Sequence, residues 1–114
     1  MSTGHMKRAV LALALVGCSA HAEFKSGNTL LAQIKGDNLD YIHANGYVIG
    51  VYDTLQGVTH CPPAGITAGQ VTDIVKNYLE VNPETRHNSA DRLIGIVLKS
   101  TWPCAQRPPA GRQL

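Results

Sequence analysis

The chain has 114 residues, 44% of them hydrophobic, with 10 Lys and Arg against 8 Asp and Glu, a formal net charge of +2 and three cysteines. That is room for one domain. The positive excess sits in Lys7 and Arg8, so the chain beyond them is formally neutral and offers no basic face for nucleic acid.

Those two basic residues open an export signal. The apolar run Ala9–Gly17 follows, then small residues with Ala20-His21-Ala22 as an A-x-A cleavage site before Glu23. The run is far shorter than the ~20 apolar residues of a membrane span, and no later stretch is long enough either. Leu15-Val16-Gly17-Cys18 also reads as a lipoprotein box, in which Cys18 would be acylated. Cleavage after Ala22 and lipidation of Cys18 therefore stay open as alternatives, and both place the domain outside the cytoplasmic membrane. Met1–His5 is either a tag remnant ahead of Met6 or native sequence. The expected organisation is a signal peptide over 1–22, a helical domain over 23–104 and a disordered tail over 105–114, where Ala105–Leu114 has almost no apolar content.

The first predicted helix spans Ser26–Lys35, with Leu30, Leu31 and Ile34 inward and Gly36 as its stop. Asn38–Leu55 is harder to read. Tyr47–Tyr52 has the composition of a strand, yet Leu39, Ile42, Gly46, Ile49, Gly50 and Leu55 fit one long helix, and no second strand exists to pair with it. The helix reading is preferred. Gly46 and Gly50, four apart, then let another helix approach closely, at a propensity cost of about 1 kcal/mol each.

Gly57–Gly65 reads as a loop stiffened by Pro62 and Pro63. The third helix starts on a capping box, Thr67-Ala68-Gly69-Gln70. Val71, Ile74, Val75, Tyr78 and Leu79 then recur with helical period on one face. For the fourth helix Asn82 reads as N-cap, Pro83 as first residue and Glu84 as a first-turn acid. Ala90, Leu93, Ile94, Val97 and Leu98 form its apolar face, Trp102-Pro103-Cys104 ends it, and about three residues separate it from the third. The expected class is all-α, a small four-helix bundle clipped by one disulfide.

Cys61 and Cys104 remain once the signal is gone, each beside a proline between or after helices. A lone matched pair in an exported chain reads as a disulfide. The alternatives are a zinc site from His60, Cys61, His87 and Cys104, which no ligand spacing supports, and intermolecular pairing. No activated-nucleophile motif accompanies the cysteines. Asp37, Asp40, Asp73 and Glu84 read as cap or helix-dipole residues, Asp53 as a helix-surface or buried hydrogen-bonding group. No catalytic residue, cofactor site or metal site is expected.

The order of features resembles one family. Phe24-x-x-Gly27-Asn28-x-Leu30-Leu31, Gly46-Tyr47-Val48-x-Gly50-Val51-x-Asp53, Cys61-x-Pro63, Gln70-Val71-x-x-Ile74-Val75-x-x-Tyr78-Leu79, Pro83-Glu84 and Trp102-Pro103-Cys104 together are similar to the Rap1a/Tai family of type VI secretion immunity proteins. The resemblance implies a small periplasmic all-α protein, a homodimer, with a cysteine pair carried by Cys61 and Cys104. Its partner would be a cognate peptidoglycan amidase effector, inhibited by steric occlusion without catalysis. The 57–65 loop, with His60, Pro62 and Pro63, is the expected partner-binding element. The alternative is a small periplasmic stress chaperone of the HdeA kind, also helical, disulfide-clipped and dimeric.

Overall fold

The computed structural model describes residues 24–105. The expected signal peptide, Cys18 and nearly all of the expected tail lie outside the described residues. Four helices make up the fold: α1 Gly27–Ile34, α2 Asn38–Leu55, α3 Ala68–Val81 and α4 Ala90–Thr101, with no strand among the described residues. The Cys61–Cys104 disulfide clips them together.

Short polar side chains start three of the helices by accepting orphan backbone N–H groups. Ser26 Oγ takes the Thr29 amide and Asp37 Oδ1 the Asp40 amide. At α3 the capping box forms in both directions: Gln70 N–H donates to Thr67 Oγ1, and Thr67 N–H donates to Gln70 Oε1 at 2.8 Å.

The fourth helix departs from the expectation. It begins at Ala90 after Ser89, and residues 82–89 form turns. Asn82 ends α3 instead, its side-chain amide donating to the Tyr78 carbonyl at 2.8 Å. Glu84 therefore lies in the turns, and Asp73 falls in the second turn of α3. The physical reason is a competing set of backbone bonds. At the start of α1, Gly27 N–H donates to the Asn88 carbonyl and Asn28 N–H to that of Arg86, while Ala90 N–H donates to Lys25 O. These contacts draw 86–90 against the start of α1 and satisfy α1's orphan donors, so the local start signal at Asn82-Pro83 is overridden.

Gly27 makes that contact possible. A Cβ added there would lie 2.6 Å from Leu93 Cδ1, 2.8 Å from Arg86 O and 3.1 Å from Leu79 Cδ2. The leucine tips can shift, but the Arg86 carbonyl is already held by Asn28 N–H at 2.8 Å. Gly27→Ala should therefore cost about 1–3 kcal/mol in urea melts, although alanine is the better helix former by about 1 kcal/mol. A gain in stability would show that the 86–90 segment yields easily.

The core draws on all four helices. Leu30, Leu31 and Ile34 of α1 meet Ala44 and Val48 of α2, Val71, Val75 and Leu79 of α3, and Ala90, Leu93, Ile94, Val97 and Leu98 of α4. The buried Thr72 hydroxyl is paired with Asn45 Nδ2 at 2.8 Å. Although α2 touches each of the other three helices, it fully buries only Ala44 and Val48. Leu39 and Ile42, read from the sequence as part of its apolar face, are 63% and 65% exposed. The close helix approach expected at Gly46 and Gly50 is absent among the described residues: a Cβ at either would meet none of their atoms within 4 Å.

Candidate functional site

Two surface features stand out, the loop after α2 and the outer face of α2 itself. The loop leaves α2 at Gln56 and turns at Gly57, whose φ of +79° is left-handed backbone that glycine tolerates without strain. Gly57 N–H closes the turn on the His60 carbonyl at 2.8 Å. The backbone of His60 also pairs with Gln56 and with Pro103, beyond α4. Next to it, Cys61 N–H donates to the Trp102 carbonyl at 2.8 Å and the sulfur bonds to Cys104, with Cα atoms 4.7 Å apart. A disulfide leaves no thiolate for zinc or for nucleophilic attack, so neither chemistry is open to these cysteines.

An aromatic cluster underlies the loop. The His60 ring sits 4.8 Å from Tyr52, tilted by 47°, and Trp102 meets Tyr52 edge-on at 6.3 Å. His60 has no accessible surface at all. Of the three residues expected to meet a partner, His60 is thus the one turned inward, as an anchor under the loop. Burial pushes its imidazole below the ordinary range. Pro62 is half-buried and Pro63 exposed, and Val58 at the tip is 79% exposed. The loop therefore offers an apolar tip on a clamped base. For Tyr52 the sequence offers no signal beyond its place one turn before Gln56.

Beside the loop, a groove of about 440 Å³ runs along α2, lined by Gly46, Tyr47, Gly50, Val51, Thr54 and Leu55, with Asp91 from α4 at its edge. The Tyr47 phenol is pushed above its ordinary value, first by burial and then by the Asp91 carboxylate, with a backbone hydrogen bond at Asp91 pulling the other way. Lys25 Nζ lies 5.0 Å from the centre of the Tyr47 ring. On the rest of the outer face, Leu39, Ile42, His43 and Asp53 are exposed. Helical spacing puts Leu39, Ile42, Gly46, Gly50 and Asp53 on one side, opposite Val48.

What this arrangement can do chemically is bind. The groove pairs an acid with a phenol and apolar walls, without a nucleophile and base in contact. Among the described residues no three His, Cys, Asp or Glu side chains gather as a metal site. No helix among them is long and apolar enough to cross a membrane. Compared with known proteins, the chain matches the family model described as Rap1a immunity proteins over residues 26–104. No curated protein matches it.

Proposed function

This chain belongs to the Rap1a immunity protein family, and from that premise we propose that it binds a peptidoglycan amidase effector delivered by type VI secretion and blocks its active cleft. In this proposal the domain, residues 23–104, works in the periplasm after cleavage at Ala22, or tethered to the outer membrane through Cys18. Inhibition of this kind asks for a rigid projection and no catalytic group. The observation that carries it is the 56–65 loop, fixed at its base by the disulfide, by Cys61 N–H on Trp102 O and by the buried His60, with Val58 and Pro63 facing out. A projection ordered before it binds loses less conformational entropy in the complex.

Val58→Asp and Pro63→Ala together should weaken effector binding at least tenfold by calorimetry, and relieve inhibition of peptidoglycan hydrolysis to match. Both side chains are exposed, so the melting temperature should hold. Unchanged affinity in the folded variant would remove the loop from the interface.

The outer face of α2 suits a second copy of the chain. Apolar residues surround α2 on all sides, a pattern of helices covered on all sides, yet its outer face is open here. Its residues are self-complementary about Val48. Two copies of α2 crossing antiparallel at that point would set Gly46 against Gly50 and His43 against Asp53, twice over by symmetry. The glycines would let the backbones approach, and the His–Asp pairs would fix the register. The proposed form is thus a homodimer with α2 at its centre.

A further inference from the structure

We propose that His60 is an acid-operated latch: neutral, it holds the Gln56–Gly65 loop shut beneath Tyr52; protonated, it leaves, and the loop opens on its disulfide tether. The observation behind this is an imbalance within one residue. The backbone of His60 is well held, its carbonyl accepting from Gly57 N–H at 2.8 Å and its peptide bridging to Gln56 and Pro103. The side chain is fully buried, yet neither Nδ1 nor Nε2 has a hydrogen-bond partner among the described residues. A neutral imidazole carries one N–H donor and one acceptor, so both are withdrawn from water without compensation. A leucine or phenylalanine would fill the same space at less cost. The polar ring brings one property those lack, which is that it can take up a proton between pH 5 and 8.

The surroundings decide what a proton would do. From α2, the titratable group against the ring is Tyr52, 4.8 Å away. Besides His60 and the joined cysteines, neither the loop over 56–65 nor the stretch over 100–104 at the end of α4 contains an ionisable side chain. Burial is what lowers the imidazole's basicity. An imidazolium here would lose its hydration with no carboxylate to replace it. The face of Tyr52 attracts a cation, but the downward direction of the shift says that desolvation wins.

The loop is also built to move as a unit. Gly57 and Gly65, both with positive φ, stand at its two ends and have no side chain to resist other backbone angles. The Cys61–Cys104 bond limits how far the segment can travel, so opening is local and reversible. The open ring titrates near the ordinary value of about 6.5 and the closed ring lower. The sign follows: the open state binds the proton more tightly, so the closed loop is fully favoured above about pH 6.5 and loses ground as pH falls toward the closed-state value. Between those two values the open-to-closed ratio rises up to tenfold per pH unit.

Amide hydrogen exchange and imidazole NMR on the oxidised chain between pH 7.5 and 4.5 test this, independently of any partner. The expected result is that protection of the Gly57 and Cys61 amides, corrected for intrinsic rates, falls up to tenfold per pH unit below about 6.5. Val75 and Leu79 in α3 should stay protected, and His60 should titrate together with the loop signals. In His60→Phe, which keeps a ring but cannot take a proton, loop protection should be flat across the range. Titration of His60 with unchanged loop amides would overturn the latch. So would simultaneous loss of protection in α3, or a loop that still opens with acid in His60→Phe. If that variant does not fold, the wild-type comparison of loop with α3 decides alone.

Discussion

Breaking the Cys61–Cys104 bond is expected to remove about 4 kcal/mol of stability, from the loop-closure entropy of a sequence separation of 43. A domain of this size has about 4–12 kcal/mol in total, so reduction should bring it to the edge of unfolding at 37 °C. The bond joins the loop before α3 to the residue two beyond the α4 cap, so the closed segment contains both helices entire. It thereby limits how far the unfolded chain can separate two of the four elements of the core. Urea melts of the oxidised chain, the reduced chain and a Cys61→Ser, Cys104→Ser variant provide the measurement. The reduced and doubly substituted forms should agree within about 1 kcal/mol and fall well below the oxidised form. A loss under about 1 kcal/mol would mean that the backbone bonds at His60 and Cys61 already hold the loop to the end of α4, with the sulfurs adding little.

That bond was legible in the sequence because it needed only a count and a compartment. Helix starts were legible where a side chain announces them locally, as at Ser26, Asp37 and Thr67. The start of α4 was not, although Asn82-Pro83 is a strong local signal. What overrides it is a tertiary event, the capture of the Arg86 and Asn88 carbonyls by the amides of Asn28 and Gly27, and no local pattern encodes that. For α2 the sequence indicates a helix but not its orientation. Apolar residues occur all around it, so Leu39 and Ile42 look as inward as Val48 does, and only packing against α1, α3 and α4 separates them. The candidate site shows the same limit. The loop, its prolines and its cysteine anchor can be read from residues 57–65. That His60 turns inward beneath Tyr52 depends on the bridges from its backbone to Gln56 and Pro103, and Pro103 lies more than 40 residues further along the chain.

Replacing both Gly46 and Gly50 by alanine is expected to strengthen the single chain and weaken its self-association, two effects of opposite sign from one variant. Among the described residues each new Cβ meets nothing within 4 Å, and each alanine favours the helix over glycine by about 1 kcal/mol. The isolated domain should gain about 2 kcal/mol, read from urea melts at concentrations where it is monomeric. Across the proposed two-fold, Gly46 of one copy lies against Gly50 of the other, so the added methyl groups stand where the helix backbones meet and force them apart. Sedimentation equilibrium should show association weakened at least tenfold, and lost with Gly50→Arg. The electrostatic half has its own check. His43→Glu alone sets two carboxylates together on each side of the crossing, while His43→Glu combined with Asp53→Lys restores opposite charges in exchanged positions. The single variant should dissociate and the double variant recover. If the alanine variant gains stability yet associates as tightly as before, the copies meet elsewhere, and the open face of α2 is left to the effector.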